Sequence, residues 1–184
     1  MDFERVLKGL VEQFERQQIR YAAIGGLALG LLGCPRSTMD VDFLVHRDDL
    51  EKLRASLTRL GYQHDAVSEN VSQYYHPVRP MGSIDIIHAF RPYALDMLER
   101  ARMMPFQEVG PIRVLQPEDI IGFKVQAFAN NPARRIKETL DIEALASRYG
   151  AQLDWNRIQR YYDLFDLGQE ANALRTRYGP AHQS

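Results

Sequence analysis

Apolar residues recur every three or four positions in several stretches of the chain, the spacing that places them on one side of an α-helix. The first stretch runs from Asp2 to about Gln17, and the second covers residues 47–60, where Gly61 marks the end. Further helices are predicted at 93–101, 117–130, 134–149 and, with a break at Gly168, 154–178.

Short segments rich in β-branched and aromatic residues separate the earlier helices and predict strands. They are YAAI, DVDFLV, YQHDAVS, SQYYHPV, SIDIIHA and PIRVL, with LALGLLG as a short buried helix and CPRST as a loop. This order predicts an α+β fold in which helices back a mixed β-sheet. We expect residues 1–116 to form the sheet-containing core and residues 117–184 to form a helical region that packs on it as one compact unit, flanking a cleft.

The composition limits which binding partners and which cellular location we expect for the protein. The chain has 184 residues and a net charge of −1, so it lacks the basic excess of a broad nucleic-acid-binding surface, and we find no DNA-binding motif. Its one cysteine excludes an internal disulfide and a cysteine zinc cluster. The longest apolar run, Tyr21 to Cys34, is too short to span a membrane, and the N-terminal segment lacks the apolar core of a signal peptide, so we expect a cytoplasmic protein.

The chemically informative segment contains two aspartates on one predicted strand. Asp40 and Asp42 are separated by one residue, so their carboxylates point to the same face of the sheet, while Val41 and Phe43 point to the core. Adjacent carboxylates repel each other and favour a cation between them, and their hard oxygen atoms suit Mg²⁺. A pair of such ions can stabilise both the attacking and the leaving oxygen of a phosphoryl transfer.

Other residues could complete a phosphate site around this pair. Gly25 and Gly26 open a helix directly after a strand, where backbone N–H groups can approach a phosphate closely. Arg36 and Thr38 lie on the following loop and can reach the same phosphates. Asp85 projects from the strand SIDIIHA and would join the cluster if that strand shares the face. The glycines could instead serve only tight packing, and Asp85 could simply face water.

Two residues of the C-terminal helices are weaker candidates. Lys124 lies on the apolar stripe of helix 117–130, where a buried ammonium needs an anionic partner such as a phosphate or a site carboxylate. A lysine at the edge of the stripe could instead extend to solvent. Asp141 could support the site, or it could form an ordinary helical ion pair with Lys137, four residues earlier.

These motifs together resemble the polymerase-β-type nucleotidyltransferase superfamily. The pattern of Gly25-Gly26, Arg36, Thr38, the Asp-Val-Asp strand and a later aspartate carries the resemblance. Within it, GG-x-ALGLLG-x-x-R-x-T-x-DVDFLV and the helices PEDIIGFKVQAF and RRIKETLDIEAL are most similar to the bacterial branch that contains the AbiEii-type toxins of toxin–antitoxin systems. The resemblance covers roughly residues 20–147.

The resemblance implies a role for each matching residue. Asp40, Asp42 and Asp85 would hold two Mg²⁺ ions, and Asp85 would also help to deprotonate an acceptor hydroxyl. Gly25, Gly26, Arg36 and Thr38 would hold the triphosphate of an NTP such as ATP, Lys124 would contact the nucleotide, and Asp141 would support the site. Gly26 departs from the serine common at that position, which removes a hydroxyl contact and keeps the backbone contact.

The implied reaction transfers a nucleoside monophosphate from the NTP to an acceptor hydroxyl. The acceptor could be RNA, tRNA or a small molecule, and the near-neutral charge favours a small acceptor or a short RNA end. An antitoxin protein is a further expected partner if the toxin resemblance holds. The alternative is a catalytically silent module of the same fold that binds a nucleotide or a partner, and it would gain support if Asp85 were far from Asp40 and Asp42.

Overall fold

The computed structural model describes residues 3–35, 37–38, 40–78 and 82–180. The helices in these ranges are α1 (Phe3–Arg16), α2 (Gly25–Leu31), α3 (Leu50–Arg59), α4 (Pro92–Arg100), α5 (Pro117–Asn130), α6 (Arg135–Tyr149), α7 (Trp155–Asp163) and α8 (Gly168–Tyr178). The strands are β1 (Tyr21–Ile24), β2 (Asp40–His46), β3 (Gln63–Val67), β4 (Val71–Tyr75), β5 (Ser83–Ala89), β6 (Arg102–Phe106) and β7 (Gly110–Val114).

The strands form one mixed sheet of seven, in the order β3-β4-β5-β2-β1-β7-β6. Strand β2 runs parallel to β5, and β1 runs parallel to β7, whereas the other neighbouring pairs are antiparallel. The parallel pairing of β2 with β5 brings together two segments that are far apart in the sequence. The predicted combination of a mixed sheet with helices is therefore confirmed.

The chain divides into two compact units. The first contains the residues up to Leu31 and from Pro35 to Leu115, and it includes the whole sheet. The second contains Leu32–Cys34 and the residues from Gln116 onward, so a short segment after α2 joins the C-terminal helices.

The core of the first unit lies on one face of the sheet. Val41, Phe43, Ile84 and Ile86 are fully buried there, as the alternation of β2 and β5 predicts. The Phe43 ring packs edge-on against Phe14 of α1, with the ring centroids 5.2 Å apart. Because side chains alternate along a strand, this core fixes Asp40, Asp42 and Asp85 on the opposite face.

The second unit is helical. Helix α5 packs against both α6 and α7, and α7 packs against α8. Apolar side chains of these helices are fully buried between them, among them Ile121, Val125, Leu145 and Ile158. No helix within the described residues is long and apolar enough to cross a membrane.

One strand differs from the sequence prediction, whereas the two glycines open a helix as predicted. Helix α2 begins at Gly25, so both glycines belong to its first turn. Strand β6 was not predicted because RMMPF has no β-branched residue and contains Pro105. Hydrogen bonding to β7 at the edge of the sheet stabilises the extended conformation that the residues of β6 do not favour by themselves.

Candidate active site

Three of the predicted acidic residues lie on neighbouring strands β2 and β5. In the parallel register, Asp42 is directly opposite Asp85, and Asp40 is directly opposite Ser83. Neighbouring strands are about 4.8 Å apart, so the side chains of Asp42 and Asp85 leave the same sheet face side by side. The structure thus brings together the aspartates that the sequence analysis singled out.

Asp85 is held from the side by a residue that the sequence analysis did not name. Gln73 of β4 is directly opposite Asp85 in the antiparallel register, and its Nε2 donates a hydrogen bond to Asp85 Oδ1 at 3.1 Å. Burial raises the pKa of Asp85, and the nearby charge of Asp40 raises it further, while the Gln73 hydrogen bond acts in the opposite direction. The carboxylate is therefore partly desolvated and close to a second negative charge.

Asp40 accepts hydrogen bonds from two hydroxyl groups, one at its side chain and one at its backbone oxygen. The hydroxyl of Ser83 donates a short hydrogen bond to Asp40 Oδ1. The hydroxyl of Thr38 donates to the backbone oxygen of Asp40 at 3.0 Å. This hydrogen bond connects Thr38 to the first residue of β2, close to the Asp40 carboxylate.

Gly25 forms the turn from β1 into α2, and its backbone has a φ of +61°, a region that favours glycine. A Cβ at this position would overlap the carboxylate of Asp42. The missing side chain thus lets the Asp42 carboxylate approach the first turn of α2. The N–H groups of a helix start carry partial positive charge, which suits an anionic ligand beside the Asp42 carboxylate.

Gly26, the second glycine of the turn, leaves space that a side chain of the loop fills. A Cβ at Gly26 would lie 2.6 Å from Thr38 Cβ and 2.9 Å from Thr38 Oγ1. A serine could therefore not fit here without displacing Thr38. The Thr38 hydroxyl lies close to the position from which a residue 26 side chain would begin. Arg36, the remaining predicted phosphate ligand of this loop, lies outside the described residues.

The donor atoms of the site suit a divalent cation that arrives with a substrate. Within the described residues, no group of three or more His, Cys, Asp or Glu side chains is arranged to hold a metal ion. However, Mg²⁺ is commonly held by one or two carboxylates together with the phosphates of a nucleotide. Asp42 and Asp85, in register beside the glycine turn, meet that smaller requirement.

Lys124 and Asp141 belong to the helical unit, where they contact each other. Lys124 Nζ lies 2.6 Å from Asp141 Oδ2 and 2.7 Å from Glu138 Oε2, so the buried ammonium has two carboxylate partners. Burial alone would raise the pKa of Glu138, but the hydrogen bonds and charges of Lys124 and Arg134 outweigh it, and the pKa is lowered. The anionic partner that a buried Lys124 requires is thus supplied by α6, within the same helical unit.

The model of a family described as uncharacterised nucleotidyltransferase matches residues 3–173. The chain belongs to this family. The match extends beyond the part of the chain that carried the sequence resemblance and includes most of the C-terminal helices. Comparison with curated proteins finds no match.

Solved structures of nucleotidyltransferases share the fold. The antibiotic-resistance factor ANT(2'')-Ia is 14% identical, with a TM-score of 0.68, over 96% of this chain and 98% of that one. The lincosamide antibiotic adenylyltransferase LnuA, in a lincomycin-bound crystal structure, is 16% identical, with a TM-score of 0.57, over 79% of this chain and 97% of that one. A putative nucleotidyltransferase from Thermotoga maritima is 13% identical, with a TM-score of 0.58, over 76% of this chain and 92% of that one.

Sequence analysis missed Gln73 and Ser83 as neighbours of the carboxylates. Ser83 could have been found from the alternation of β5, because it is two residues before Asp85 and shares its face. The position of Gln73 depends on how β4 pairs with β5, and the sequence does not encode the register of that pair directly. The only sequence signal for Gln73 was therefore the alternation of side chains along SQYY, which places Gln73 on the opposite face of the strand from Tyr74.

Proposed function

We propose that this chain is a Mg²⁺-dependent nucleotidyltransferase that moves a nucleoside monophosphate from an NTP to an acceptor hydroxyl. The observation that carries the proposal is the in-register pair Asp42 and Asp85 beside the glycine turn that opens α2. A silent binding module would not need Asp85 at this position. The family match and the fold shared with adenylyltransferases support the same reaction class.

Each residue has a distinct part in this proposal. Asp42 and Asp85 would hold Mg²⁺ together with the phosphates of the NTP, and Asp40 would join them as the sequence resemblance implies. Bound Mg²⁺ would supply neutralisation of the charge on the triphosphate and its leaving group. The backbone of Gly25 and Gly26 at the start of α2 binds phosphate oxygens, together with Thr38 and Arg36. The roles of Lys124 and Asp141 as a nucleotide contact and its support stay predictions.

Asp85 is the proposed base. The acceptor oxygen forms a bond to the α-phosphorus, the bond from that phosphorus to the pyrophosphate oxygen breaks, and the hydroxyl proton passes to the Asp85 carboxylate. Its place next to Asp42 puts the base beside the phosphates that Asp42 would orient.

A small hydroxyl-bearing molecule is the acceptor that we propose to test first. One neighbour was solved with adenylyl-2''-tobramycin and another with lincomycin, both small-molecule antibiotics. The near-neutral net charge of this chain also favours a small acceptor over a long polyanion. RNA or tRNA as acceptor, a toxin role with an antitoxin partner, and a cytoplasmic location follow only from the sequence analysis and stay predictions.

Calorimetric titration with each of the four NTPs, with and without Mg²⁺, tests the proposal. We expect one or more NTPs to bind the wild-type protein only with Mg²⁺, and Asp42→Ala to abolish that binding. Asp48→Ala is the matched control, because Asp48 is an exposed aspartate beyond the other end of β2. Absence of NTP binding by the folded wild-type protein would contradict the proposed function.

Turnover separates the enzyme from the silent module. Pyrophosphate release should accompany NTP binding when tobramycin, lincomycin or cellular RNA is offered as acceptor. Asp85→Asn should bind the NTP and release no pyrophosphate above background. Mg²⁺-dependent NTP binding without turnover under any of these conditions would favour the silent module.

A further inference from the structure

We propose that Gln73 is a positioning residue that fixes the orientation of the Asp85 carboxylate for the acceptor. The inference rests on the proposed function, since it assigns Asp85 the role of base. Gln73 lies on β4, a strand that contains none of the residues proposed to bind the nucleotide. Gln73 does not touch the reacting atoms and acts through Asp85.

The row of residues across the sheet gives Gln73 its place. Gly25 lies against Asp42, Asp42 is opposite Asp85, and Asp85 is opposite Gln73. The glycine turn, where the phosphates would bind, is on one side of Asp85, and Gln73 is on the other. An acceptor hydroxyl therefore reaches Asp85 next to the Gln73 amide.

The backbone of Gln73 is anchored from the opposite face of the sheet. Its neighbours Ser72 and Tyr74 are buried, and Ser72 Oγ lies 2.7 Å from His88 Nε2 of β5. His88 Nδ1 lies 2.9 Å from the backbone oxygen of Glu69, which can only accept, so Nδ1 is the donor. The Ser72 hydroxyl then donates to Nε2, and this buried hydrogen bond holds β4 against β5 beneath Gln73.

The hydrogen bond distinguishes the two oxygen atoms of Asp85. The Gln73 amide donates to Oδ1 at 3.1 Å, and it is the hydrogen bond that the described residues give this carboxylate. A free carboxylate would rotate about its final bond, whereas the amide favours one rotamer. Oδ2, which the Gln73 amide does not engage, is then the oxygen left to accept the hydroxyl proton.

Replacement of the amide tests the role in turnover. Gln73→Met keeps the length of the side chain and removes the donor, and Gln73→Glu replaces the donor with an acceptor of negative charge. We expect kcat for pyrophosphate release from Mg²⁺–NTP, with water as the acceptor, to fall about ten- to a hundredfold, because misplacement of a reacting group has costs of that order. The KM for NTP should change less than about twofold, since Gln73 is not among the phosphate contacts.

Gln63→Met is the matched control. Gln63 is an exposed glutamine on the neighbouring strand β3, and it accepts a hydrogen bond from the Tyr75 hydroxyl at 2.6 Å. Its loss should leave kcat and KM unchanged. A merely structural contribution of strand glutamines would lower the stability of both variants and would not separate kcat from KM.

A measurement without turnover keeps the inference distinct from the proposed function. The side-chain amide resonances of Gln73 in ¹⁵N-labelled protein should move in Asp85→Ala, while those of Gln63 should not. Turnover in the wild type that persists unchanged in Gln73→Met would overturn the inference. Absence of turnover in the wild type would contradict the proposed function instead, and the inference would then fail only if the Gln73 amide resonances did not respond to Asp85→Ala.

Discussion

Gly25 occupies the point at which the backbone leaves β1 and the Asp42 carboxylate approaches α2. Gly25→Ala should cost about 1–2 kcal/mol in the free energy of unfolding, because an L-residue is strained at positive φ. The added methyl group also overlaps the Asp42 carboxylate and must displace it. We therefore expect Mg²⁺-dependent NTP affinity, measured by calorimetry, to fall at least about tenfold in a protein that remains folded.

Gly30→Ala provides the control for this prediction. Gly30 lies in the same helix, and a Cβ there meets no atom within 4 Å. An alanine in a helix interior is favoured over glycine by up to about 1 kcal/mol, so stability should hold or rise and NTP affinity should not change. Equal losses of NTP affinity in both variants would show that Asp42 does not depend on the space at Gly25.

At the neighbouring Gly26, the sequence predicts only part of what the structure shows. The departure from serine predicts the loss of one hydroxyl from the phosphate site. The structure places the Thr38 side chain where a residue 26 side chain would lie. Sequence spacing could not show this, because Gly26 and Thr38 are separated in the chain and only the folded structure brings Thr38 to the position of a residue 26 side chain.

At the scale of elements, helices α5 and α6 are joined by the buried ammonium of Lys124. Lys124→Met removes the buried ammonium that contacts both Glu138 and Asp141, while Glu138 keeps its contact with Arg134. Breaking a buried ion pair typically costs about 3–5 kcal/mol. We expect a loss of that order in the free energy of unfolding, measured by urea titration. Lys137→Met, at an exposed position of α6, should leave stability nearly unchanged.

The same variant addresses the predicted nucleotide contact of Lys124. If the ammonium also binds phosphate, NTP affinity should fall in Lys124→Met under conditions in which the protein is fully folded. Unchanged NTP affinity there would contradict the predicted contact and leave Lys124 the role of joining the helices. The two measurements therefore separate the packing role from the binding role.

The elements of this fold could be predicted where local pattern is strong. Helices α1, α3 and α5 follow from their apolar spacing, and β2 follows from its alternating residues. The pairing of β2 with β5 could not be predicted, because it joins distant segments and the sequence does not encode a register directly. From sequence, Asp85 could therefore be placed beside Asp42 only on the assumption that their strands share a face. Glu138 was not identified as a partner of Lys124.

At the scale of the whole molecule, each compact unit contains a buried carboxylate that is paired with a cation. In the first unit, Asp49 accepts hydrogen bonds from Arg20 N at 3.0 Å and Arg20 Nε at 2.7 Å. Burial alone would raise the pKa of Asp49, but the contacts with Arg20 outweigh it and lower the pKa. In the second unit, the contacts of Glu138 with Lys124 and Arg134 lower its pKa in the same way.

These lowered pKa values set the direction of the pH dependence. The unfolded chain protonates both groups near their ordinary values of 3.8 and 4.5, whereas the folded protein protonates them only at lower pH. Stability is therefore fully present above those ordinary values and is lost as the pH falls through the lowered ones. We expect the free energy of unfolding from urea titrations to decline between about pH 5 and pH 3.

Replacing the buried carboxylate of either compact unit should make the decline of the unfolding free energy with falling pH less steep. Asp49→Asn and Glu138→Gln each remove one titrating group, so each variant starts less stable at pH 7 and loses less on acidification. Asp48→Asn, at an exposed neighbouring carboxylate, should keep the wild-type slope. Trp155 is the one tryptophan and is buried in α7, so its fluorescence follows the helical unit while circular dichroism follows the whole chain. A slope that neither substitution changes would show that these two ion pairs do not govern acid stability.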